Sequence, residues 1–143
     1  MGLTWDVTDE AAEAGVCYAI ACRKGWTPVV KIGFSHDPKR RDEQHYQEMP
    51  TYGVAYVGML GFVVGARGGR EAEARVHAYC DAERMVIAGR REFFTLGVRT
   101  LAFLSLIEPC PYPDLSGTGR DVPPELRVWL RESLPVPLAG RFL

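Results

Sequence analysis

The sequence predicts an α+β domain, in which a β-hairpin feeds a small mixed or antiparallel sheet flanked by helices. Three observations predict it. Val16–Cys22 and Val29–Phe34 are short runs rich in β-branched and aromatic residues, and they flank Arg23-Lys24-Gly25-Trp26, a turn whose glycine is free to take a positive φ. Two segments, 38–48 and about 70–84, open with helix-start signals, the first with Ser35-His36-Asp37-Pro38 and the second after Gly68-Gly69. Further strand-like runs at Val54–Val64 and Glu92–Leu96 alternate with them, giving the order β-β-α-β-α-β-α.

The elements follow in turn. Residues 1–14 are acidic and alanine-rich and read as a lead-in. A hairpin loop centred on Lys24-Gly25, of two or four residues, sets Tyr18 opposite Lys31, Val16 opposite Gly33 and Ile20 opposite Val29. Alternation then gathers Cys17, Ala19, Ala21, Val30, Ile32 and Phe34 on a wholly apolar face. Tyr18 and Lys31 share the other face. The helix at 38–48 is strongly polar, with Lys39, Arg40, Arg41, Asp42, Glu43, Gln44 and His45 in succession. In the second helix Glu71 and Glu73 fall in the first turn, where the macrodipole favours anions. An apolar segment at about 98–107 reads as helix or strand. From Glu108 the composition shifts, and seven of the ten prolines lie between Pro109 and Pro137, so residues 108–143 read as a Pro-rich extension beyond a domain at 15–107.

Composition narrows the function. Lys+Arg 17 against Asp+Glu 18 leaves a formal net charge of -1, which argues against a polybasic protein held to nucleic acid by bulk charge. With 143 residues, 47% apolar and 24% charged, the chain reads as one ordinary globular domain. No stretch approaches the ~20 apolar residues of a membrane span. Asp6, Asp9, Glu10 and Glu13 leave no apolar core for a signal peptide, so a cytoplasmic protein with no membrane partner is expected. Cys17, Cys22, Cys80 and Cys110 form no C-x-x-C pair and read as reduced thiols.

The polar residues at helical spacing carry the chemistry. Arg41 and His45 are i,i+4 on the first helix, and Glu73 and His77 are i,i+4 on the second. Arg70, Glu73, His77 and Cys80 form a stripe beside the apolar arc of Ala72, Val76 and Tyr79, which sets Glu73 at the border of core and solvent. Glu71 points away. Singly, each has an ordinary reading: a solvated helix pair, a half-buried strand tyrosine, a lysine guarding a sheet edge.

Taken in order, Cys17-Tyr18-Ala19-Ile20, Lys31-Ile32-Gly33, Arg41, His45, Glu73-Ala74-Arg75-Val76-His77 and Glu92-Phe93-Phe94 resemble the GIY-YIG nuclease superfamily. They are closest to the phage and bacterial branch in which KIG replaces YIG. The resemblance covers about residues 15–106. It implies hydrolysis of DNA phosphodiester bonds by an enzyme that uses Mg²⁺ or Mn²⁺, with Tyr18, Lys31, Arg41, His45 and Glu73 as candidate catalytic residues and Glu73 as the metal ligand. His77 and Arg40 are secondary candidates. Two positions depart from the family pattern: Lys31 stands for the second tyrosine, and Val16-Cys17-Tyr18 keeps only the tyrosine of the first triplet. The chemistry suits the residues, since Arg supplies a fixed bidentate cation and Glu a hard oxygen ligand. Lys31 is expected to donate to the phosphate, with a role as base left open. The alternative is a catalytically silent nucleic-acid-binding or interaction module of the same fold. Homodimerisation is left open.

Overall fold

A computed structural model describes residues 15–63 and 69–109, together with position 132. The lead-in 1–14 and almost all of the Pro-rich extension, Cys110 included, lie outside the described residues. The fold is α+β, and its sheet is antiparallel throughout. The strands are β1 (Val16–Lys24), β2 (Thr27–Ser35), β3 (Ala55–Val63), β4 (Phe93–Thr95) and a two-residue β5 (Glu108–Pro109), in the spatial order β4-β2-β1-β3-β5. The helices are α1 (Pro38–Glu48), α2 (Gly69–Tyr79) and α3 (Val98–Leu104). The 98–107 segment thus resolves as a helix over Val98–Leu104 followed by a turn.

β1 is the central strand and is covered on both faces. On one side Cys17, Ala19, Ala21, Val30, Ile32, Leu60 and Phe94 are buried beneath α2 and α3. On the other, Val16, Tyr18, Ile20, Val29, Met59 and Phe93 are buried with Met49 and Val54 from the α1 side. Phe93 and Phe94 are both fully buried, one in each layer, because adjacent strand residues point to opposite faces. Cys17, Cys22 and Cys80 are buried free thiols, and burial pushes Cys17 and Cys22 each up to about 12.

The hairpin register differs from the sequence expectation by two residues. Gly25, at φ 61, and Trp26 form the loop, so Lys24 pairs with Thr27, Tyr18 with Gly33 and Ile20 with Lys31. A shift of two preserves sidedness, so Tyr18 and Lys31 still share a face, now as diagonal neighbours. The positive-φ glycine can occupy either position of a two-residue loop, and the close packing of Tyr18 on Gly33 selects the observed one.

α2 ends at Tyr79 rather than near residue 84, and a 3-10 turn follows at Asp81–Glu83. The reason is tertiary. α3 begins at Gly97 without a side-chain cap of its own, and Glu83 supplies one from a distance. Its carboxylate accepts from Arg99 N–H at 3.0 Å and from the Thr100 N–H and hydroxyl, each at 2.7 Å. A Cβ at Gly97 would lie 2.3 Å from the Glu83 carboxyl carbon, so only glycine lets that carboxylate close over the helix end.

Desolvation alone pushes the Glu83 carboxyl up, but the hydrogen bonds from Thr100 and Arg99 outweigh it and hold it below the usual range. Glu83→Ala should therefore cost about 1 kcal/mol at neutral pH, the scale of a lost helix cap. A carboxyl whose folded value is depressed contributes fully above its unfolded value of about 4.3 and loses that contribution as pH falls through the folded value. Urea unfolding of wild type and Glu83→Ala at pH 7 and in acid should show the two curves converging in acid.

Candidate functional site

The site is built where β4 stops. β4 pairs with β2 only at Val29–Lys31, and the last rung is the Ile32 N–H on the Glu92 carbonyl at 2.9 Å. Beyond it the outer edge of β2 at Gly33–Ser35 is not paired with β4. α2 reaches this edge: the Ile32 carbonyl is hydrogen-bonded by His77 Nε2 at 2.8 Å, and His77 also packs on the Phe94 ring. Because a carbonyl only accepts, this nitrogen carries the proton. His77 therefore ties α2 to β2.

Glu73 lies one helical turn before that tie. Its carboxylate is 24% exposed and sits 4.0 Å from His77 Nε2, beyond hydrogen-bonding distance. Its charge acts on both Tyr18 and Cys17, which face opposite sides of β1.

Tyr18 is 1% exposed, and its ring passes over Gly33, where a Cβ would meet the hydroxyl oxygen at 2.5 Å. The hydroxyl lies 2.8 Å from Nε2 of His45, itself 2% exposed. Burial, and then the charges of Lys31, Arg41 and Arg90, push the His45 imidazole down to about 3, so it is neutral at physiological pH. Its Nδ1 is buried without a hydrogen-bond partner among the described residues. If Tyr18 donates to Nε2, only the Nδ1 proton is orphaned. If Nε2 donated instead, both the phenol proton and the Nδ1 lone pair would be. The first arrangement costs less, so Tyr18 is the donor. Burial also raises the Tyr18 phenol, against the pull of the Arg41 guanidinium and with the push of Glu73 and Glu92.

α1 brings Arg41 and His45 here, although almost every residue in it is polar. The helix opens with Asp37, whose Oδ1 accepts from the Arg40 N–H at 3.2 Å, and with Pro38 in its first turn. Its buried face is Pro38, Asp42 and His45, continued by Met49. Asp42 is fully buried and accepts from the Tyr56 hydroxyl at 2.6 Å, anchoring α1 on β3. Arg41 is half-buried and donates to Gln44 Oε1 at 2.8 Å. Arg40 is exposed, and with Arg41, Gln44, Phe34 and Ser35 it lines an open cleft of about 350 Å³.

Lys31 is only 4% exposed, and its amine meets Glu92 Oε1 at 3.3 Å, with Nζ 5.8 Å from the centre of the Phe93 ring. The amine expected to face a phosphate is engaged by a carboxylate. Sequence reasoning gave Glu92 no catalytic part and left Asp42 aside. The helical spacing 38, 42, 45, 49 carried the signal for Asp42; for Glu92 no local pattern did, since its role depends on β4 lying beside β2.

Of the five expected residues, Tyr18 is hydrogen-bonded to His45, the charges of Arg41 and Glu73 act on Tyr18, and that of Lys31 acts on His45. Among the described residues no three His, Cys, Asp or Glu side chains cluster as a metal cage. A partly exposed carboxylate that has no hydrogen-bonded neighbour among the described residues still fits Mg²⁺, which takes one or two carboxylates and keeps most of its waters. Comparison with known proteins finds no family model, no curated protein and no solved structure that matches this chain. A functional reading therefore rests on these residues and their placement.

Gly33→Ala tests the geometry. The added methyl must displace the Tyr18 ring, at an overpacking cost of about 1–3 kcal/mol. Urea unfolding should show that loss. A mutant as stable as wild type would mean that Tyr18 does not pass over Gly33.

Proposed function

We propose that this protein is a divalent-metal-dependent endonuclease of GIY-YIG type that hydrolyses DNA phosphodiester bonds. The observations that carry the reading are the 2.8 Å contact of the Tyr18 hydroxyl with His45 Nε2, and the placement of Arg41 on α1 and Glu73 on α2 where their charges act on that hydroxyl. Glu73 would hold the ion, with no second protein ligand needed, and the bound ion would polarise the phosphate and leaving oxygen. Arg41 would pair with the non-bridging oxygens through its planar fork.

Water would attack phosphorus as one P–O bond to the sugar breaks. Its proton would pass to the Tyr18 oxygen as the phenol's own proton moves to His45 Nε2, and the departing oxygen would take a proton from solvent. A neutral His45 is suited to that task, whereas an imidazolium is not. The cleft beside Arg40 and Arg41 offers a second cation for a neighbouring phosphate. A catalytically silent nucleic-acid-binding module is the second reading, favoured by the burial of Tyr18 and Lys31 and by the engagement of the amine with Glu92.

Cleavage of supercoiled plasmid, single strands and branched DNA with Mg²⁺ or Mn²⁺ separates the two. Arg41→Ala should lower cleavage by orders of magnitude and leave the fold intact, because a partly exposed helical arginine contributes little stability. Glu73→Gln should abolish cleavage while DNA binding stays equal or tightens, since an anion facing phosphate has gone. Metal without DNA should barely raise the melting temperature, as expected for weak binding by one carboxylate. Full activity in Glu73→Gln, or unfolding by a chelator, would overturn the assignment.

A further inference from the structure

Lys31 is a cation placed almost wholly out of water, and such a group sheds its proton unless a counter-charge holds it. Glu92 is that counter-charge. The carboxylate is fixed from two sides, by Lys31 Nζ on Oε1 at 3.3 Å and by the Arg91 N–H on Oε2 at 2.7 Å. Its backbone is fixed as well, through the bond from Ile32 N–H to its carbonyl. The tight turn before it, Ile87–Arg90 with Ala88 at φ 50 and Gly89 at φ 77, delivers Arg90, Arg91 and Glu92 together.

We propose that Glu92 is a positioning residue that locks Lys31 as a fixed cation beside the Tyr18–His45 pair, so that Lys31 stabilises charge in the site and does not act as its base. The proposal deepens the nuclease reading and rests on it for what the site does. The groups facing Lys31 are Glu92 ahead of β4, Arg41 and His45 on α1, and Cys22 on β1, with Arg90 beyond His45. Cys22 and His45 are uncharged at neutral pH, and Arg41 repels the ammonium, so the carboxylate that meets it at 3.3 Å, Glu92, is the anion that holds it. Burial pulls the Lys31 amine below its ordinary value, and Glu92 opposes that pull. Glu92 is itself ionised: burial raises its carboxyl, but Lys31 and the Arg91 N–H together hold it low.

The test uses the full chain with isotope-labelled lysine and follows the Lys31 side chain by NMR from pH 6 to 11, beside DNA cleavage over the range the protein tolerates. Wild-type Lys31 should be charged at pH 8. Glu92→Gln keeps an acceptor for the Arg91 N–H and removes only the charge, and it should lower the Lys31 titration by about one pH unit or more. Glu92→Asp should retain most of the wild-type value, and Glu92→Ala, which also removes the charge, serves in place of Glu92→Gln should that variant not fold. Cleavage by Glu92→Gln should fall on the alkaline side with the same midpoint, because a group that must be charged is lost as pH rises. A wild-type Lys31 already neutral at pH 8, or a titration unmoved by Glu92→Gln, overturns the proposal. So does cleavage by Glu92→Gln that improves at low pH, the mark of a lysine base. A wild type that cleaves nothing overturns the nuclease reading instead, and the titration still decides on Glu92.

Discussion

The packing of the Tyr18 ring across Gly33 is the contact on which the rest of the arrangement depends. A side chain at position 33 would occupy the space of the hydroxyl, so β2 must present its glycine opposite Tyr18 and nowhere else. That requirement sets the hairpin register and puts the loop on Gly25-Trp26. It also sets which β2 residues remain for β4: with Lys31 opposite Ile20, the short β4 covers Val29–Lys31 and leaves the strand beyond open. The hydroxyl emerges beside that open edge, within reach of α1 on one side and α2 on the other.

What surrounds the hydroxyl is a polar layer inside an otherwise apolar interface. α1 has almost no hydrophobic residues with which to bind the sheet, and it docks instead through Asp42 on Tyr56 and His45 on Tyr18. Buried polar contacts of this kind contribute modestly when complete and cost heavily when broken, so they fix orientation more than they add stability. The orphaned His45 Nδ1 is a standing cost of the arrangement. Such a cost is typical of sites where chemistry, and not packing, decides which residue is present.

The element order was legible because hydrophobic periodicity and turn residues act locally. Val16–Cys22 and Val29–Phe34 read as strands, and Asp37-Pro38 marked the start of α1 to the residue. Three features were not legible, each because it depends on a distant partner. The hairpin register turned on the Tyr18–Gly33 contact, which the loop sequence alone does not resolve. α2 stopped at Tyr79 because Glu83 is drawn to the N-terminus of α3, sixteen residues on from that carboxylate at Arg99. Glu92 joined the site because β4 lies beside β2 and not β3. The shared face of Tyr18 and Lys31 survived the register error, since sidedness depends only on parity.

Glu73 is placed by a chain of constraints, each visible in a named contact. His77 bonds the Ile32 carbonyl, which fixes the rotation of α2 about its axis at the edge of β2. The 3-10 turn after α2 then carries Glu83 onto α3, and Arg84 continues back to the strand through its stacking on Phe94, 4.9 Å from the ring centre, and its bond to the His77 carbonyl. Position 73 lies one turn before His77 on the same helix, and its charge acts on Tyr18. Among the described residues a carboxylate there has no partner to neutralise it within hydrogen-bonding distance, whereas Glu71 on the outer side of the same helix is paired with Arg75 at 2.7 Å. Among the described residues Glu73 thus has no hydrogen-bonded partner, while its charge acts on the buried Tyr18 phenol. Under the proposed function Glu73 would hold the divalent ion, which would supply the positive charge that this carboxylate lacks nearby.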